Sequence, residues 1–111
     1  MSQKRVLLLG STGSIGDSTL QVVDNLSGRL RVAALAAHCQ WEKLLEQAVR
    51  YAPDSVALGD PQAAEDLRRA LARTHLSRKP KVYGGAEGLV QLVRETEGDV
   101  VVGAISGAAG L

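Results

Sequence analysis

The chain has 111 residues, 45% of them hydrophobic and 23% charged, with a net charge of +1; that is material for one domain around one core. The charge balance excludes a global field for nucleic acid or an anionic membrane, and no apolar run approaches the ~20 residues needed to cross a bilayer. The lone cysteine, Cys39, excludes an internal disulfide and points to the cytoplasm, while Val6 to Leu9 is too short for a secretion signal.

In chain order, apolar runs alternate with helical periods, the pattern of repeated strand–helix units and a parallel sheet. Val6 to Leu9 is continuously apolar, as a strand buried on both faces should be. A helix is expected from Ser14, with Ile15, Thr19, Val22, Val23 and Leu26 on one face, ending in the turn residues Asn25 to Gly28. Val32 to Ala37 is the second strand. Trp41, Leu44, Leu45, Ala48, Val49 and Ala52 mark the next helix, which Pro53 stops. Ser55 to Leu58 is a short strand, after which Asp60 is placed as a cap and Pro61 at the first position of a helix carrying Leu67 and Leu71. Lys81 to Tyr83 is a brief strand, Gly84-Gly85 a turn, and residues 86–95 a helix with Leu89, Val90 and Val93. Val100 to Val102 form the fifth strand, and Gly107 to Gly110 read as the opening of a helix. Five strands leading into an unfinished helix suggest a fragment.

The chemistry is carried by Gly10-Ser11-Thr12-Gly13-Ser14-Ile15-Gly16, with glycine at every third position between the first strand and the first helix. A dinucleotide's diphosphate must approach backbone N–H groups at a helix N-terminus, where the dipole and unpaired donors favour an anion. Gly10 allows a sharp turn, Gly13 removes a side chain that would meet phosphate, and Gly16 allows close helix–strand packing. Thr12 and Ser14 add hydroxyl donors. No Gly-Lys-Ser/Thr follows, so a Walker-type loop is excluded. The fold expected is α/β, a Rossmann-type doubly wound parallel sheet of about five strands with helices on both faces. The strand at 4–9 should be central, with 99–104 on one side and 31–37 on the other.

The end of the second strand bears on which dinucleotide binds. An acidic residue there would engage a ribose 2′-hydroxyl, but the sequence is Ala36-Ala37-His38-Cys39-Gln40. The missing carboxylate favours a 2′-phosphate and hence NADPH, with His38 and Lys43 the nearest basic groups.

The run Leu9 to Gly16, with Ser18-Thr19-Leu20 and Val23, closely resembles the start of the 1-deoxy-D-xylulose 5-phosphate reductoisomerase family. The resemblance continues through Arg31-Val32, Leu35 to Ala37 and Leu45 to Gln47, and returns at Ala104 to Leu111. It implies an NADPH-dependent oxidoreductase of isoprenoid synthesis, in the pathway through 2-C-methyl-D-erythritol 4-phosphate. Family enzymes use NADPH and a divalent metal (Mg or Mn) to convert a sugar phosphate, 1-deoxy-D-xylulose 5-phosphate, into that product. By this resemblance Thr12, Gly13, Ser14 and Ile15 contact the cofactor, and Ala104 and Ile105 lie where it crosses the fifth strand. The family's second contact segment, often Gly-x-Asn, falls on His38, Cys39 and Gln40, where His38 replaces glycine and Gln40 replaces asparagine.

Residues 1–111 are then expected to be the N-terminal NADPH-binding domain of a homodimeric parent. No residue here is assigned as catalytic or metal-binding, and the 111 residues alone should be inactive. Two alternatives share the glycine pattern. A semialdehyde-dehydrogenase-like reductase should show a nucleophilic cysteine farther along, and a stand-alone nucleotide-sensing module would need a naturally terminated domain.

Other features read as structural. His38 and Cys39 cannot complete a zinc site with the histidines and cysteine present. Trp41 sits at core spacing. The basic stretch Arg68, Arg69, Arg73, Arg78, Lys79 and Lys81 has no interleaved aromatics for base stacking and reads as a solvated face, with Glu65 and Arg69 placed for a surface pair.

Overall fold

A computed structural model of the chain describes residues 3–26, 28–76 and 78–103. In order these form β1 (Lys4–Leu9), α1 (Ser14–Asn25), β2 (Leu30–Ala37), α2 (Trp41–Tyr51), β3 (Ser55–Leu58), α3 (Pro61–Ala72), β4 (Lys81–Gly84), α4 (Gly85–Glu95) and β5 (Val100–Gly103). The strands make one sheet in the order β4-β3-β2-β1-β5, every neighbouring pair parallel. β1 lies between β2 and β5, as expected, but the centre of the sheet is β2. Strands 2 to 4 are laid down outward on one side of β1, and the chain returns to its other side for β5. The winding direction therefore switches between β1 and β5, which is where ligands of such sheets collect.

Side-chain size separates the two faces. Leu8, Val32, Leu35, Val56 and Leu58 pack with Leu20 and Val23 of α1, Leu44 and Ala48 of α2, and Leu67 and Leu71 of α3. The opposite face presents Leu7, Ala33, Ala34, Ala36 and Ala57 to Leu92 of α4. Each fully buried Leu or Val contributes roughly 1.5–3 kcal/mol, so the three-helix face carries most of the apolar stabilisation. The register of β1 against β2 slips between Val6 and Leu7, leaving Ala33 as an extra residue in β2. That bulge puts Ala33 and Ala34 on the same face, breaking the period of two.

Three helix faces differ from the periodic reading. In α1 the buried residues include Leu20 and Val23, whereas Val22 is 50% and Leu26 41% exposed. In α2 they are Leu44, Gln47 and Ala48, with Val49 exposed; in α4 they are Gly88 and Leu92, with Val90 and Val93 exposed. Each helix covers one side of one sheet, and a residue one position along is turned by ~100° away from it. Trp41 is partly buried against the main core. Asp60 caps α3 by accepting from the Gln62 N–H at 3.1 Å, and Pro61 opens that helix. Glu65 pairs with Arg68, three residues on, in place of the expected Arg69. Arg78 is drawn from the basic face to Asp54 at 2.9 Å. Position 104 of the expected fifth strand and the helix opening at 107–110 lie outside the described residues.

Candidate dinucleotide site

A crevice of about 440 Å³ opens at the C-terminal ends of the strands. Gly10, Thr12 and Gly13 line it from the first turn, Ala36, Ala37 and His38 from the end of β2, and Ala57 and Gly59 from the end of β3. Ala86 and Leu89 of α4 close it on the other side. His38 is the one ionisable residue among these, and none carries a carboxylate.

The turn is built by its glycines. Gly10 has φ +82°, a left-handed conformation that glycine adopts at no steric cost. The N–H groups of Gly10 and Ser11 both donate to the Ala36 carbonyl, at 2.7 and 2.9 Å, tying the turn to β2. Gly16 is set by packing. A Cβ there would lie 2.4 Å from the Ser11 carbonyl oxygen and 2.7 Å from that of Gly10, so only glycine lets α1 start this close to β1. Gly13 is different, because a Cβ would meet nothing nearer than the Gly10 oxygen at 3.7 Å. The protein's own packing does not require glycine at that position.

Gly13 is also the N-cap of α1 and offers no side-chain hydrogen bond. The first intrahelical bond is from the Asp17 N–H to the Gly13 carbonyl, 2.9 Å. The N–H groups of Ser14, Ile15 and Gly16 therefore have no carbonyl one turn earlier to receive them. A helix whose cap lacks a side-chain acceptor beside a crevice without carboxylates is suited to receive an anion from outside.

The turn's carbonyl side is held by α2. Lys43 Nζ donates to the Thr12 carbonyl at 2.9 Å and to Asp17 at 3.0 Å, and Gln47 Nε2 donates to the Ser11 carbonyl at 2.9 Å. This corrects the reading of Lys43 as a cation for the second-strand end, since its ammonium is committed to the glycine turn.

Among the other expected site residues, Gly10, Thr12, Gly13 and His38 come together around the crevice. Ser14, Ile15 and Gly16 form the first turn of α1, directly after Gly13, and are not among the residues that line the crevice. Gln40 is exposed as the N-cap of α2 and does not line the crevice. Ala104 and Ile105 lie outside the described residues. Missing from the sequence reading were Gly59, Ala57, Ala86 and Leu89. Gly59 carried a usable signal, as it follows a strand directly, like Gly10. A Cβ there would lie 2.8 Å from His38 Nδ1, so the absence of a side chain makes room for the imidazole at the rim. Among the described residues no group of three or more His, Cys, Asp and Glu is placed to hold a metal, and no helix is long and apolar enough to cross a membrane.

Residues 6–111 match the 1-deoxy-D-xylulose 5-phosphate reductoisomerase family. The chain is 49% identical over 109 residues to the 1-deoxy-D-xylulose 5-phosphate reductoisomerase of Burkholderia mallei (strain SAVP1), covering 98% of this chain and 27% of that protein. The same figures hold for the enzyme of Burkholderia pseudomallei (strain K96243). A solved DOX-P reductoisomerase in complex with NADPH, fosmidomycin and magnesium superposes with a TM-score of 0.87 at 34% identity, over 97% of this chain and 26% of that one. The enzyme from Zymomonas mobilis in complex with NADPH gives 0.85 at 33% identity, over 98% of this chain and 28% of that one.

Proposed function

The chain belongs to the 1-deoxy-D-xylulose 5-phosphate reductoisomerase family, and from that premise we propose that residues 1–111 are its NADPH-binding domain. The observation that carries the proposal is the first turn of α1, which presents N–H groups without a side-chain cap beside a crevice lined by no carboxylate. The diphosphate sits against Gly10, Thr12 and Gly13 and the N–H groups of Ser14, Ile15 and Gly16. The adenosine end lies toward His38, with Gln40 behind it, and Ala104 and Ile105 meet the cofactor beyond β5. Bound NADPH supplies a hydride; the protein's part is to hold and orient it.

The chain spans 27% of the length of the Burkholderia relatives. Conversion of 1-deoxy-D-xylulose 5-phosphate to 2-C-methyl-D-erythritol 4-phosphate, as a cytoplasmic homodimer using a divalent cation, is accordingly proposed for the whole enzyme. No described residue is given a catalytic or metal-binding role.

Titration of the chain with NADPH, read by the cofactor's fluorescence, tests the domain's part directly. Saturable binding that NADP⁺ displaces is expected. A correctly folded chain that leaves the cofactor signal unchanged would remove the proposal.

A further inference from the structure

We propose that Lys43 and Gln47 are positioning residues for the glycine-rich turn, fixing its peptide planes so that N–H groups, and not carbonyls, face the crevice. The two are four residues apart on α2 and so share one face of the helix. Gln47 Nε2 holds the Ser11 carbonyl at 2.9 Å, and Lys43 Nζ holds the Thr12 carbonyl at 2.9 Å. A planar trans peptide points its C=O and the following N–H in opposite directions. Drawing the Ser11 carbonyl toward α2 therefore turns the Thr12 N–H away from it. The Thr12 carbonyl orients the next peptide in the same way, and the Gly13 N–H of that peptide donates back to the Gly10 carbonyl at 3.3 Å and closes the turn. Thr12 and Gly13 line the crevice, whereas Lys43 and Gln47 line a separate cleft between α1 and α2. The carbonyl oxygens, which would repel a phosphate, are thus anchored on the far side.

The burial pattern argues that this arrangement serves geometry more than stability. Gln47 is 7% exposed and Ser11 fully buried, yet Gln47 Oε1 and Ser11 Oγ have no protein hydrogen-bond partner. Buried polar atoms left in that condition cost stability. An apolar residue at 47 would remove the unpaired Oε1 but could not grip the Ser11 carbonyl. Lys43 is also paired with Asp17 at 3.0 Å, which offsets its charge locally.

The inference rests on the glycine turn being the diphosphate seat, and its test separates the two. Three variants of the full chain, Gln47→Leu, Lys43→Met and Lys43→Arg, are compared with the wild type. Two ligands are titrated, NADPH and adenosine 2′-monophosphate, which lacks the diphosphate, and amide hydrogen exchange is followed without ligand. Gln47→Leu and Lys43→Met should weaken NADPH about tenfold, the scale of one hydrogen bond to a critical group, and leave the monophosphate within about twofold. Both should speed exchange at the Thr12 and Gly13 amides relative to the sheet. Lys43→Arg, which keeps a donor, should restore NADPH binding. Gln47→Leu changes no charge, so its loss cannot be electrostatic.

Equal weakening of both ligands, or undiminished NADPH affinity in either variant, overturns the proposal. If the wild type binds neither ligand, the functional reading fails, and exchange alone decides: turn amides no faster in the variants reject the positioning role. Should Gln47→Leu not fold, Lys43→Met, at a half-buried position, carries the test.

Discussion

The two ends of this parallel sheet are built from opposite materials. At the N-terminal ends of the strands, charged side chains satisfy one another. Arg5 meets Glu97 at 2.6 Å and Asp99 at 3.6 Å. Arg31 holds both oxygens of Asp54 at 2.8 and 3.2 Å, with Arg78 added at 2.9 Å. Hydrogen bonding from Arg31 brings the Asp54 carboxyl below its ordinary range, and the Arg5 backbone N–H does the same for Asp99. At the C-terminal ends the lining is glycine and alanine with Thr12, Leu89 and one histidine. In a parallel sheet the return helices bring their N-termini, and their unpaired donors, to that end. One end therefore closes on itself and contributes stability, while the other leaves backbone donors for a ligand to complete.

Two glycines three residues apart offer the strongest ways to break this comparison. Gly16→Ala should cost the fold about 3 kcal/mol, because its Cβ would press on backbone oxygens at 2.4 and 2.7 Å that cannot swing aside. Chemical denaturation checks this, and a variant as stable as the wild type would show that the α1–β1 contact yields. Gly13→Val should do the reverse. With φ at −84° and 3.7 Å of clearance, it should change stability by no more than about 1 kcal/mol. NADPH affinity should nevertheless fall at least about a hundredfold, since the side chain would stand in the diphosphate's place. Undiminished binding would make the turn purely structural.

This contrast between glycines was legible in the sequence, because a three-residue spacing after an apolar strand has one steric logic at each position. The alternation of elements and the neighbours of β1 were legible for the same reason: continuous apolar runs need both faces covered. The sidedness of the helices was not. Val22, Val49, Val90 and Val93 are as apolar as their buried neighbours, and which of them turns inward depends on where the sheet lies, a long-range fact. The central place of β2 follows from the crossover order, which periodicity does not encode. Lys43 looked like a free cation because its partners, Thr12 and Asp17, are 31 and 26 residues away. No local pattern announces such a contact.

The closed end gives a smaller, pH-dependent prediction. The Asp54 carboxyl titrates lower in the folded chain than its ordinary value, mainly through its hydrogen bond to Arg31. Its contribution is therefore fully present above the unfolded carboxylate value of ~3.9 and is lost as pH falls through the folded value. Asp54→Asn should lower stability at neutral pH by about 1 kcal/mol and flatten this part of the acid dependence, with NADPH binding untouched. Acid-denaturation curves of the same shape in both proteins would mean that the pair with Arg31 is worth nothing in solution.

The smallest effect concerns which dinucleotide the open end prefers. NADPH should bind more tightly than NADH, since no carboxylate stands at the end of β2 to engage a 2′-hydroxyl or repel a 2′-phosphate. The margin should be below about tenfold, because the described residues place no arginine fork at the rim to grip the phosphate in two places. Lys43 is committed to the glycine turn and Gln40 stands off the crevice, which leaves His38, with Gly59 making room for its ring. The preference should therefore shrink toward nothing in His38→Ala. Competition between the two cofactors in the wild type and in the variant measures the effect. Equal affinities throughout would refute the preference itself. A preference that survives in His38→Ala would assign 2′-phosphate recognition to backbone donors at the end of β2 and not to the imidazole.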